Sequence, residues 1–482
     1  MKTLRGAVIL AAWAATAGCA GHPSPEVPTL DVELPTSWES GHDRDAAAPS
    51  ATDWWREFGD AELDRLVPQV LESNRDLAAA AARVDAAAAQ ARIAGADRKP
   101  RVSASSSAQR NRSNFIGLPI PGQEGQVSTS TSTSLGVDLS VSWEVDLWGR
   151  LRANRSAAKA STEAARADWE AVRLSLAGQT AKAWFAIAEA RLQLELAEET
   201  LASRASTRER IRRRYDLGTR DALDLRLAIA SEAGARSATA ARARSLDAVE
   251  RQLQLLLSRY PAAGSFEAAG SLPAPPSSLP TIVPAELLAR RPDLAATESR
   301  LAAAGYDVAA SRAALYPALS LSGSAGRLSS ELEDLLDSDF SVWSLAANLL
   351  QPVFQGGRLR AAVDLSEARR RELTETYVQA ALVALGEVEL ALAALGSLEE
   401  QAEALRTAVA QSKDAQRLAE RRYDAGLVDY LAVLESQREA TQSQVELLSI
   451  RRQQLDARVD LHLALGGGFV HDGPDRGLAG TP

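Results

Sequence analysis

The sequence predicts a mostly α-helical chain built as two repeats, each carrying two strands of the kind that wall a membrane β-barrel. Three observations predict this. Two stretches of 65 residues run without a proline. Motifs of the first half recur, in the same order, in the second. One segment alternates apolar with small or polar residues over thirteen positions without error. The composition agrees: of 482 residues, 46% are apolar, 24% charged and only 5% aromatic, and alanine runs such as Ala78 to Ala82 recur. That balance suits long, closely packed helices and excludes a disordered chain. A net charge of −9 argues against nucleic acid as a partner. The single cysteine excludes an internal disulfide framework. Four scattered histidines (His22, His42, His462, His471) leave little material for metal or triad chemistry.

At the N-terminus, Lys2 and Arg5 precede an apolar run from Gly6 to Gly18. This is a charged region followed by a short apolar core, too short to span a bilayer, so residues 1–18 read as a secretory signal. The run ends Thr16-Ala17-Gly18-Cys19, and the lone cysteine stands where a bacterial lipoprotein signal places its lipidated residue. Lipidation of Cys19 is therefore expected; the alternative is an ordinary secretory signal with an incidental cysteine, since Thr16 stands where such signals usually carry Leu. Removing the signal takes the charge to −11. Ala20 follows the cysteine, with no Asp to hold the protein at the inner membrane. Residues 19–60 would then form a lipid-anchored N-terminal segment.

The remainder is a duplication. Gly149-Arg150-Leu151-Arg152-Ala153 recurs as Gly357-Arg358-Leu359-Arg360-Ala361, an offset of 208. Arg214-Tyr215-Asp216-x-Gly218 recurs as Arg422-Tyr423-Asp424-x-Gly426 at the same offset. Earlier matches, Arg75-Asp76-Leu77-Ala78 with Pro292-Asp293-Leu294-Ala295 and Lys99-Pro100 with Tyr316-Pro317, lie 217 apart, which places an insertion between Val102 and Gly149. The first repeat is 61–260 and the second 285–468; residues 261–284, with Pro273, Pro275, Pro276 and Pro280, form an extended linker, and 469–482 a tail. Each repeat reads helix, two strands, long helix, tight turn, helix. Glu62 to Ala96 is alanine-rich and stops at Pro100. The long helices, 151–215 and 359–423, would each measure roughly 100 Å at 1.5 Å per residue. Leu385, Val388, Leu392 and Leu395 give a coiled-coil seam flanked by Ala391 and Ala394.

The strands are expected at 101–112, 134–147, 318–328 and 341–350. Leu135 to Leu147 carries the perfect alternation, longer than an ordinary soluble strand and suited to a tilted membrane strand with one face on lipid. Asn111 to Thr133 reads as a surface loop joining the first pair, and Ser329 to Asp339 joins the second. Four strands cannot close, and an open sheet edge is forbidden in a bilayer. Copies must combine, two giving eight strands and three giving twelve.

These features resemble the outer membrane factor family, the TolC-like and lipoprotein-type exit ducts of bacterial tripartite efflux and type I secretion systems. The resemblance rests on Trp54-Trp55-x-x-Phe58-x-Asp60-x-x-Leu63, Asn74-x-Asp76-Leu77, Arg291-Pro292-Asp293-Leu294, the two Arg-Tyr-x-x-Gly turns and the terminal Ala464-Leu465-Gly466-Gly467-Gly468. It implies a homotrimer whose twelve strands form one barrel, continued by a periplasmic α-barrel. It further implies a passive efflux duct in the outer membrane, working with a periplasmic adaptor and an inner-membrane transporter of the RND type, with no enzyme activity and no cofactor beyond lipid on Cys19. The alternatives are a type I protein secretion duct and a non-pore coiled-coil scaffold lipoprotein.

Candidate functional residues cluster at the two turns. Gly218 and Gly426 suit helix C-termini, and the family docks its adaptor at such turns. Asp221, Asp224 and Asp429 would cap helices or ring a constriction. Tyr215, Tyr423, Arg214 and Arg220 would hold a tip closed, although exposed arginines contribute well under about 1 kcal/mol. Trp143, Trp148 and Trp343 stand in or beside strands, where interfacial belts are expected. Trp54, Trp55 and Phe58 are expected to pin the N-terminal segment.

Overall fold

A computed structural model describes residues 35, 37–40, 46–47, 53–115, 127–262, 266, 271–276, 279–280 and 284–469. The expected signal and Cys19 lie outside the described residues, as does nearly all of the expected C-terminal tail. The chain forms two compact units. One contains Asp85–Ala164 and Glu298–Glu375; the other contains Thr29–Val84, Ala165–Thr297 and Thr376–Pro482.

The duplication is visible element by element. In the first half follow α1 (Ala61–Ser73), α2 (Arg75–Ala96), β1 (Arg101–Phe115), β2 (Ser128–Val145), α3 (Arg150–Asp216) and α4 (Ala222–Leu256). The second half gives α5 (Pro284–Arg290), α6 (Pro292–Ala313), β3 (Ala318–Ser329), β4 (Ser341–Leu350), α7 (Arg358–Asp424) and α8 (Tyr430–Ala464). The long helices have 67 residues each and the helices after them 35 each.

Two expectations need correction. The helical stretch from Glu62 to Ala96 is broken at Asn74, whose extended backbone ends α1. Its side-chain oxygen accepts from the amides of Asp76 and Leu77, and its amide nitrogen donates to the Leu256 carbonyl. One side chain thus caps α2 and ties it to the end of α4. The loop expected over 111–133 is also shorter, because pairing runs from Arg101↔Ser142 out to Phe115↔Ser128. Beyond Leu135 the strand has no apolar alternation, but Thr129, Thr131 and Thr133 are β-branched and favour the extended backbone.

In the first unit the four strands form one antiparallel sheet, ordered β1-β2-β3-β4. Register sets its two faces. Val137, Leu139, Val141 and Trp143 stand opposite Arg327, Ala325, Gly323 and Leu321 on β3. Those last three stand opposite Trp343, Leu345 and Ala347 on β4. Val102, Ala104 and Ala108 continue the same face on β1. The other face is lined with serine: Ser103 bonds Ser140 at 2.9 Å, Ser105 donates to Asp138 at 2.6 Å, and Ser324 bonds Ser344 at 2.8 Å. At Gly326 only hydrogen fits, since a Cβ there would lie 2.3 Å from the Val137 carbonyl. The sheet leads into α3 through Asp146, whose carboxylate accepts from the Leu151 and Arg152 amides, while Glu144 pairs with Arg150 at 2.7 Å.

The second unit holds the main core. Trp54, Trp55 and Phe58 are buried with Leu63, Leu66, Trp184, Phe185 and Leu455. The Trp184 indole donates to Asp60, which also caps α1. Trp54 stacks on His462 at 5.0 Å, and Glu57 lies 3.2 Å from the same imidazole, which draws the Glu57 carboxyl below its ordinary range. The seam residues Val388 and Leu392 are buried against Leu461, Ala464, Leu287 and Leu294. Arg291, almost fully buried, joins Asp293, Glu387 and the Ala464 carbonyl. The terminal glycines are needed where they stand: Gly466 has φ +84 and a Cβ there would meet the Arg290 carbonyl at 2.0 Å.

Candidate functional site

The two turns end α3 and α7 by the same device. Gly218 (φ +72) and Gly426 (φ +75) take the left-handed conformation. The Gly218 amide donates to the Tyr215 carbonyl and the Thr219 amide to the Arg214 carbonyl; Gly426 and Leu427 repeat this on Tyr423 and Arg422. These are the two bonds of a Schellman closure. Asp221 and Asp429 then open α4 and α8, accepting from the Leu223 and Ala432 amides.

Around this frame the side chains differ. The Tyr423 hydroxyl donates to Asp224 at 3.1 Å. Arg220 lies over the Tyr423 ring, 4.3 Å from its centre, and donates to the Tyr423 carbonyl at 2.8 Å. Arg214 pairs with Asp424 at 3.1 Å. Tyr423 also packs on Tyr430, 5.5 Å between ring centres, in a buried cluster with Ile211, Ala228 and Val433. Burial, and then the Asp224 charge, push the Tyr423 phenol up to about 12. Tyr215 by contrast is 41% exposed against 5% for Tyr423. So Arg220, Asp224 and Tyr423 are brought together, Asp221 and Asp429 act locally as helix caps, and Tyr215 stands apart. The grip on Tyr423 draws on Tyr430 as well, and the Arg214–Asp424 pair stands beside it. Asp424 stood in the repeated string without a role assigned to it, and Tyr430 carried no sequence signal beyond adjacency to the second turn.

The sheet is the second functional feature. Its apolar face is uncovered: Trp343 is 80% and Leu345 81% exposed. Among the described residues, the β1 edge and the β4 edge are both unpaired. At the sheet's helix-side end, the Trp143 indole donates to the Arg98 carbonyl, and Trp148 stacks on Tyr316 while donating to Pro317.

A family model for the outer membrane efflux protein matches residues 66–259 and 283–467. The pyoverdine export outer membrane protein OpmQ of Pseudomonas putida is 37% identical over 468 residues, covering 94% of this chain and 96% of that protein. The outer membrane protein OprJ of Pseudomonas aeruginosa is 34% identical over 466 residues, covering 94% and 93%. Among solved structures, the open state of the Neisseria gonorrhoeae MtrE outer membrane channel superposes with a TM-score of 0.82 at 29% identity, over 93% of this chain and 98% of that one.

Proposed function

The chain belongs to the outer membrane efflux protein family, and from that premise we propose that three copies join their sheets edge to edge into one twelve-stranded barrel. The protein is an outer membrane efflux channel reaching into the periplasm, and not an enzyme. One observation carries the joining of copies: a four-stranded sheet with a mainly apolar face, a serine-lined face and two edges unpaired among the described residues. Lipid cannot satisfy a free edge, so each edge needs another copy. The apolar face then meets lipid and the serine face lines a watery lumen. Exposed Val353, Phe354 and Leu390 offer further apolar surface for a neighbour to cover.

In this reading the duct is passive. It takes small molecules from a periplasmic adaptor and an inner-membrane transporter of the RND type, and the energy comes from the transporter. Cys19 carries a lipid that anchors the N-terminal segment. The turns at Gly218 and Gly426 form the periplasmic tip on which the adaptor docks. A trimer brings six such turns around one axis, with Asp221, Asp224 and Asp429 placing up to nine carboxylates near the narrowest aperture. Carboxylates so close attract cations and admit them selectively. Tyr423, Arg220 and Arg214 hold that tip closed within each copy until the adaptor docks, and Tyr215, exposed in the single chain, serves the closed tip only by meeting a neighbouring copy.

The test is single-channel recording in a planar bilayer. The wild type should conduct in small steps, prefer cations, and be blocked by multivalent cations from the periplasmic side. Asp221→Ala, Asp224→Ala and Asp429→Ala should weaken that preference. Absence of any conductance step from the wild type would sink the duct, and unchanged selectivity in all three variants would confine these aspartates to capping.

A further inference from the structure

Charge is segregated across the sheet. The carboxylates, Asp138 and Glu144, stand on the serine face, where Ser105 donates to Asp138 and Arg150 pairs with Glu144. On the apolar face the sequence along β1 runs Val102, Ala104, Ser106, Ala108, and then Arg110 and Arg112. Both arginines are exposed, and their cross-strand partners are Thr133 and Thr131. No acidic residue of any of the four strands lies on this face. Arg327 on β3 shares the face, but its guanidinium donates to the Leu335 carbonyl and holds the β3–β4 connection.

Height places the pair at a boundary. On β2, ten residues separate Trp143, at the helix-side end, from Thr133, the partner of Arg110. At about 3.3 Å per residue and a tilt of about 40°, that rise is about 25 Å, the thickness of the apolar band on an outer membrane barrel. Arg110 and Arg112 therefore stand just past the hydrocarbon, at the end of the sheet away from the helices, which is the outer leaflet. A guanidinium fork matches phosphate oxygens in two parallel bonds, and two arginines one strand repeat apart present two such forks in a row.

We propose that Arg110 and Arg112 form a docking site for the phosphate-bearing headgroups of outer-leaflet lipid. The site rests on the barrel reading above, which turns this face toward lipid. It fixes the vertical position of the barrel and places bound lipid on its outer face beside each junction between copies.

The test uses the full chain purified in detergent, incubated with lipid A bearing two phosphates, and weighed intact. The wild-type trimer should retain this lipid, and should retain much less of the same lipid stripped of its phosphates. Arg110→Gln with Arg112→Gln should lower retention by roughly tenfold or more, since each basic residue at an anionic surface contributes about fivefold, while Arg110→Lys with Arg112→Lys, which keeps the charge but loses the fork, should restore only part of it. Bilayer conductance, read on the same preparations, should stay unchanged. Equal retention by the Gln variant, equal retention of the stripped lipid, or displacement by millimolar inorganic phosphate alone would overturn the proposal. So would a Gln variant that falls to monomers, because the arginines would then serve the junction between copies. A wild type that is monomeric and does not conduct overturns the barrel reading itself, whereas a conducting trimer that retains no phosphorylated lipid overturns only this inference.

Discussion

The turns at Tyr215 and Tyr423 share the string Arg-Tyr-Asp-x-Gly and the same backbone closure, yet one tyrosine is exposed and the other gripped. The cause lies just past the shared string. Arg220 and Asp224, which hold Tyr423, have Val428 and Ala432 at their counterparts 208 residues on. The first turn supplies the clamp and the second supplies what is clamped. Duplication made two equal backbones; divergence at two positions made one hairpin the holder of the other. A tip built this way can be loosened from one side without unmaking both helix ends.

The largest expected break is Tyr423→Ala. It deletes a buried ring, its packing on Tyr430 and its hydrogen bond, and should cost about 3 kcal/mol or more locally. Tyr215→Ala, at an exposed site, should cost under about 0.5 kcal/mol. Hydrogen exchange at the two turns reads the difference, and equal losses would remove the asymmetry. Next comes the clamp itself. Asp224→Asn leaves the phenol a neutral acceptor and should cost about 1.5 kcal/mol, with the amides of the second turn exchanging faster than those of the first. Gly218→Ala and Gly426→Ala serve as the symmetric control. Neither Cβ would meet an atom within 4 Å, so each pays only the left-handed penalty of about 1 kcal/mol, and thermal melts should shift alike. Of the changes within the clamp, the smallest effect is expected for Arg214→Ala, whose pair with Asp424 is part-exposed and worth under about 0.5 kcal/mol.

Alkali gives a further handle on the same asymmetry. The folded Tyr423 phenol titrates at about 12, above the ordinary value of about 10, because burial and Asp224 both disfavour its anion. A folded value raised in this way contributes stability in full below about pH 10 and loses it as pH rises through about 12. Second-turn amides should therefore open in that window, and Tyr423→Phe should flatten the dependence. An unchanged profile in Tyr423→Phe would place the alkaline transition elsewhere.

Much of this fold stands in the sequence because its signals are long. A 65-residue stretch without proline, or thirteen residues of alternation, is hard to place in any other element. What escaped was short or lacked contrast. Asn74 breaks a helix within an alanine-rich run, and its role depends on the Leu256 carbonyl, far away in the chain. Thr129 to Thr133 extend a strand where every side chain is polar, so the period of two vanishes. The burial of Trp54 against His462 joins the two ends of the chain, which no local pattern records. The asymmetry of the tip was present at Val428 and Ala432, but identical strings on either side of the offset hid it.

Whether the two turns of each copy meet those of others depends on the trimer. Native mass measurement of the full chain in mild detergent tests this most directly. The account predicts a single species of three chains that persists on dilution. A stable monomer, with its sheet edges unpaired, would contradict it.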